Sequence, residues 1–236
     1  MQKFWIVLAA FLCLPACLSA QYRASQGDVG VEVQFDPFGF RDVDEGFGGA
    51  KFRVFLTDRD ALRLNVDFGL ESVEYKEDED VDDVFSRGRV ADLRIDLGYE
   101  RHFKVAKRAS VYAGVQVGFF RHFASGKAGY TEDYTNGSFS SHREYEIIYE
   151  NCILDANGDV ADRAYRGVGG QLFTGVDFYL YKGLYIGSEI GLSVDAFKSC
   201  QTKMDIGGEG TVKSKDVETS VVAGFVRPML RLGWTF

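Results

Sequence analysis

Three histidines, His102, His122 and His142, are the residues best able to carry proton chemistry, and His142 lies close to Ser138, Ser140 and Ser141. A serine activated by a histidine is the nucleophile of hydrolases and acyltransferases. Such a serine normally stands in a sharp turn of the Gly-X-Ser-X-Gly kind, and no comparable motif surrounds these serines. Catalytic residues are therefore not assigned, and an enzyme acting on lipid is kept only as a minor alternative. Asp155, Asn157, Asp159 and Asp162 have oxygen donors spaced somewhat like those of a calcium loop. Val160 stands where such a loop wants glycine, and its closing glutamate is missing, so a turn on Asn157-Gly158 is the simpler reading. No cofactor is expected. Cys152 and Cys200 remain once Cys13 and Cys17 are set aside with the N-terminal apolar stretch. In an exported chain they form either one disulfide, the expectation here, or two free thiols.

What must position these groups is a series of alternating segments. They run from about Val29 to Phe35, Gly48 to Leu56, Ala61 to Tyr75, Val90 to Phe103, Ser110 to Phe123, Gly167 to Tyr181, Leu184 to Ala196, and Val217 to Phe236. In the third, Leu62, Leu64, Val66, Phe68 and Leu70 alternate with Arg63, Asn65, Asp67, Gly69 and Glu71. Successive side chains of a strand point to opposite faces, so each segment has one apolar and one polar or small face. Helical spacing fits none of them as well. Each segment is near the 9–11 residues or so that cross a bilayer as a tilted strand. The last one, with Leu230, Leu232, Trp234 and Phe236 on one face, closes the chain on an apolar face that nothing downstream can cover. Water would penalise that face and lipid would accept it.

The totals agree. The chain has 236 residues, a net charge of −8, 27 Gly, 20 Phe and 12 Tyr but only 3 Pro. An acidic balance argues against a nucleic-acid partner. The mean hydropathy of −0.13 and the lack of a long apolar run after residue 20 exclude a helical membrane protein but not a barrel. Residues 1–20 carry Lys3, an apolar stretch from Phe4 to Leu14, and Ser19-Ala20 before Gln21, the pattern of a signal peptide. Lipidation at Cys17 and a retained anchor are the alternatives. The expected organisation is a signal peptide at 1–20 and one barrel domain at 21–236.

The connections alternate between short (Thr57 to Asp60, Lys104 to Ala109, Lys182-Gly183) and long (Lys76 to Arg89, Ala124 to Arg166, Phe197 to Asp216). Membrane barrels have short turns on one side and long loops on the other. The polar faces carry Glu32, Arg53, Arg63, Asp67, Glu71, Arg94, Asp96, Glu100, Asp177, Glu189, Arg227 and Arg231. Turned into a narrow barrel, these charges persist only in pairs, so a salt-bridge network filling the lumen is expected.

With its export signal, eight alternating segments, alternating loop lengths and terminal Trp234-Thr235-Phe236, the chain resembles the small OmpA/OmpX-type outer-membrane β-barrels over Gln21 to Phe236. The resemblance implies an all-β, eight-stranded antiparallel up-and-down transmembrane barrel in the bacterial outer membrane. It also implies short periplasmic turns, long extracellular loops and both termini in the periplasm. It implies that the barrel-assembly machinery reads Leu230, Leu232, Trp234 and Phe236, and that outer-membrane lipid and lipopolysaccharide surround the wall. No peptidoglycan-binding domain is expected after Phe236. The expected role is non-enzymatic: structural, or surface interaction through the loops with an extracellular ligand that the sequence does not name. A narrow, porin-like channel is the alternative.

Overall fold

The structure, a computed structural model, describes residues 23–35, 47–76, 85–136, 139–154, 159–206, 211–213 and 220–236. Among the described residues all regular elements are strands: β1 (Val29–Phe35), β2 (Phe47–Phe55), β3 (Asp60–Lys76), β4 (Phe85–Ala106), β5 (Ala109–Asn136), β6 (Phe139–Glu150), β7 (Cys152–Leu154), β8 (Val160–Arg163), β9 (Tyr165–Tyr181), β10 (Leu184–Ser199), β11 (Lys203–Ile206), β12 (Thr211–Lys213) and β13 (Ser220–Thr235). Eight of them close a ring in the order β1-β2-β3-β4-β5-β9-β10-β13, every neighbour antiparallel. β13 pairs back onto β1, with Val33 opposite Leu232, so the ring has no free edge.

The alternation expected for the segments is inverted relative to a water-soluble core. On β10, Ile186, Ile190, Leu192 and Val194 face outward, while Tyr185, Glu189, Ser193 and Asp195 are buried. Leu97, Val117, Leu172 and Leu192 are 63, 68, 62 and 61% exposed, a continuous apolar wall that only lipid would cover. From Val168 to Phe178 the ten steps cover ~33 Å along β9, or ~25 Å along the axis at a tilt of ~40°. That matches the apolar band of a membrane barrel. The band ends where the outward residues become Arg121, Arg166 and Lys198.

Short turns gather at one end. Lys182 (φ 39°) and Gly183 (φ 85°) make a two-residue turn between β9 and β10. The Thr57 hydroxyl accepts the amides of Arg59 (3.1 Å) and Asp60 (3.0 Å), tightening the turn into β3. Val29 and Phe236 exchange backbone hydrogen bonds of 2.9 and 3.0 Å at the same end.

The opposite end differs from expectation. The stretch from Ala124 to Arg166, read as one long connection, is largely sheet. β5 runs on to Asn136 and returns as β6, to which β11 and β12 add. β5 holds β9 up to His122 opposite Tyr165, then changes partner and holds β6 from Ser125 opposite Glu150. At this fork the small hairpin β7–β8 turns into the mouth. Ile153 packs on the inward-facing Val90 and Ala124 and on Ala164. Gly88 leaves the space that Ile153 fills, since a β-carbon there would collide with it.

The inverted pattern yields a direct expectation. Leu172→Arg, at mid-band on the lipid face, destabilises the barrel by about 2–4 kcal/mol in urea titrations from phospholipid vesicles. The same replacement at Val160, exposed on the hairpin, is close to neutral.

Candidate functional site

The inward face builds a column of polar groups along the axis. Its middle holds four carboxylates (Glu32, Glu100, Asp177, Glu189) and four cations (Lys51, Arg53, Arg63, Arg231), none more than 6% exposed. β2 contributes Lys51 and Arg53 because the pleat turns every second residue inward. Lys51 Nζ binds Glu32 (2.9 Å) and Glu189 (3.1 Å). Arg53 reaches Asp177 (2.8 Å), Glu100 (3.1 Å) and Glu32 (3.3 Å). Arg63 binds Glu189 (2.9 Å), and Arg231 binds Glu32 (3.3 Å) and Asp177. Tyr112 and Tyr185 donate to Glu189 (2.7 Å) and Glu32 (2.8 Å). The guanidiniums of Arg53 and Arg231 lie over the Tyr185 and Tyr112 rings, both at 4.8 Å. Charge balances charge, so the desolvation cost of each ion is offset by several partners. Room for these large groups comes from glycine on facing strands. A β-carbon on Gly175 would collide with the Tyr112 hydroxyl, and one on Gly118 with the Asp96 carboxylate.

Above this cluster Gln116 donates to Gln171 (2.6 Å), and Arg94 binds Asp96 and Asp195, each at 3.0 Å. Below it, His102 lies 3.0 Å from the Ser110 hydroxyl and 3.2 Å from Glu100. At the mouth, beyond the apolar band, His122 joins Asp92 of β4 (2.7 Å) to Asp162 of β8 (2.8 Å) and stacks on Tyr165 at 4.7 Å. Both ring nitrogens face carboxylates, so both must donate. Burial opposes the charge, but the two acceptors outweigh it and hold the imidazolium up to about 9.

The expected lumenal residues Glu32, Arg53, Arg63, Arg94, Asp96, Glu100, Asp177, Glu189 and Arg231 thus meet in one column. Asp67 is also turned inward and buried. Glu71 is a correction. It is exposed, opposite Val90 on β4 and beyond the ion-paired part of the column. The side chain of Arg227 lies outside the described residues. Lys51 and Asp195 were missed, although each shares the inward parity of a charge that was chosen, Arg53 and Glu189.

The expected disulfide is also corrected. Cys152 and Cys200 are free thiols. Cys200 packs in the cluster that holds Ile153, whereas Cys152 packs with Tyr149 and Leu154. Consecutive strand residues point to opposite faces, so Cys152 is turned away from Cys200. Of the calcium candidates, Asp155 and Asn157 lie outside the described residues, Asp159 is exposed and Asp162 is taken by His122. Among the described residues no His, Cys, Asp and Glu group has metal-binding geometry. Ser138 and the side chains of Ser140, Ser141 and His142 also lie outside them, as does the cleavage before Gln21. Of the expected assembly residues, Leu230, Leu232 and Phe236 are exposed on the lipid face, and Trp234 is half-buried on the same face.

Two outcomes follow from the column. Glu189→Gln leaves Lys51 and Arg63 short of an anion and costs about 3–5 kcal/mol in urea unfolding from vesicles. The His122 contribution is full below its free value of 6.5 and disappears as pH rises through about 9, because the folded state binds the proton more tightly. Amide exchange of residues 160–163 in His122→Leu is therefore about tenfold faster than in wild type at pH 7, and the two converge at pH 10.

Residues 49–236 match the family described as the "Putative OmpA-OmpF-like porin family". No curated protein matches the chain significantly. Among solved structures it is similar to the N-terminal β-barrel domain of Pseudomonas aeruginosa OprF, at 13% identity and TM-score 0.34, covering 90% of this chain and 100% of that one. It is similar also to Acinetobacter baumannii CarO2, at 9% identity and TM-score 0.37 over 90% and 100% of the two chains. For Acinetobacter baumannii CarO the values are 11%, 0.34, 89% and 97%. With the family matching most of its length and a closed eight-stranded ring turned apolar side out, the chain belongs to the OmpA-OmpF-like porin family and is a β-barrel of the bacterial outer membrane.

Proposed function

We propose that the protein is a non-enzymatic structural barrel that meets the cell's surroundings through the sheet raised on β5, β6, β11 and β12. The observation that carries this reading is the filled lumen. Ion pairs cross it from β2 to β9 (Arg53 to Asp177), from β2 to β10 (Lys51 to Glu189) and from β3 to β10 (Arg63 to Glu189). A water-filled path would have to part several of these charges at once, each at a cost of several kcal/mol. The channel reading is disfavoured for that reason, although the family name includes porins.

The histidines support the same reading. Ser110, His102 and Glu100 stand in the order of a nucleophile, base and acid, but all three are 3% exposed or less, and the His102 ring packs against Phe55 and Tyr112. No substrate reaches that hydroxyl, so its role is to satisfy a buried imidazole. In the proposed orientation the short turns and both chain ends face the periplasm, and β5–β6 stands outside the cell. Leu230, Leu232, Trp234 and Phe236 then form the strand that the assembly machinery captures.

Heat-modifiability combined with conductance tests the reading. The unboiled outer-membrane protein migrates differently from the boiled form on SDS gels, and the purified barrel gives no discrete current steps in planar bilayers. Stepwise conductance from a heat-modifiable sample would overturn the closed-lumen reading.

A further inference from the structure

At the short-turn end the lumen is floored by the chain that leads into β1. Ala24 is buried against Phe55 of β2 and Ala61 of β3. Its backbone hydrogen-bonds the hydroxyl of Tyr179 on β9. β9 is no neighbour of β1, β2 or β3 in the ring, so the segment crosses the lumen instead of following the wall. Two lines of contact lead from it into the charge column. Phe55 packs on His102 at 5.2 Å, and His102 meets Glu100 at 3.2 Å. Tyr179 packs on Tyr185 at 5.4 Å, and Tyr185 donates to Glu32 at 2.8 Å.

The floor is held more lightly than the mouth. The apolar side chain it buries on Phe55 and Ala61 is a single methyl. Its other ties are backbone amides: Gly27 to the Phe55 carbonyl (2.8 Å), Ser25 to Asp28 (2.7 Å) and Gln26 to Asp58 (3.1 Å). Gln26 and Gly27 are exposed. Entry from the mouth has to displace Ile153, the His122 bridge and the Arg94 ion pairs before it meets the same column. Local opening takes the less costly contacts first. Gly27 supplies a hinge, since its φ of 91° suits glycine and a β-carbon there would meet nothing within 4 Å.

We infer that residues 23–27 are a hinged strap whose release at Gly27 admits water from the short-turn end to the charge column. In the proposed orientation that end faces the periplasm. The inference deepens the closed-lumen reading and rests on it: the ion pairs bar passage through the barrel, and the strap sets whether the lower column is dry or wet.

The test follows thiol accessibility in the full-length barrel purified in detergent, in a Cys152→Ser/Cys200→Ser background, with a small methanethiosulfonate. Ser110→Cys, next to His102, reports the floor. Ser193→Cys, buried on β10 to the mouth side of Glu189, reports the upper lumen. The strap is opened in two ways. Gly27→Val strains the backbone without a clash, and Ala24→Arg sets a charge against Phe55. With the strap intact, Ser110→Cys is expected to react slowly. In each strap variant it reacts about tenfold faster, while Ser193→Cys keeps its rate. Heat-modifiability verifies folding. Equal Ser110→Cys rates with and without the strap substitutions overturn the inference. A parallel rise at both thiols also overturns it, because the whole column has then loosened. Loss of heat-modifiability in both strap variants does the same, since the segment is then part of the barrel frame. Current steps from the unaltered barrel would contradict the closed-lumen reading, whereas the thiol rates judge the strap.

Discussion

The balance of charge inside the ring is the constraint on which the rest of the structure depends. Eight strands enclose a space so narrow that side chains must fill it. Here the filling is ionic, four carboxylates against four cations, all buried. An ion left without partners in such a place would be far more costly than an apolar residue, so each member constrains the others. Glu189 illustrates this, taking Lys51, Arg63 and Tyr112 from three strands of the wall. The strand register that lets these groups meet is therefore pinned from inside as well as by the backbone ladder. The apolar exterior adds little discrimination between registers two residues apart, because valine, leucine and phenylalanine repeat along it.

The same column explains how the two ends differ. At the short-turn end, the Val29–Phe236 bonds and the Lys182-Gly183 turn close the wall with few residues. At the other end β5 outgrows the ring, and the wall would open where β9 leaves it. The β7–β8 hairpin covers that gap. Ile153 supplies the apolar contact and the His122 bridge the polar one, so the cap is held by two chemistries.

Much of this was legible from periodicity, because a membrane barrel writes its lipid face and its lumen into alternate residues of every strand. Leu62 through Leu70 against Arg63 through Glu71 sufficed to orient β3. Glu71 failed because parity gives a face, not a height, and the column ends below it. Lys51 and Asp195 carried the required signal and were passed over. The cap was not legible: β7 and β8 have three and four residues, too few for a period to show. Nor does any local pattern join His122 to Asp92 and Asp162, thirty and forty residues away. The Cys152–Cys200 pairing assumed that two cysteines in neighbouring loops would meet, but a strand's alternation turned them apart.

The most direct test of the account is a double-mutant cycle on Arg53 and Asp177, using Arg53→Leu, Asp177→Leu and the double variant, each unfolded by urea from lipid vesicles. If the paired lumen holds the barrel together, each single replacement strands a buried charge, and the double replacement costs less than the two combined by about 2 kcal/mol or more. Additive losses would mean that the two residues act independently, and that the charge column does not organise the fold.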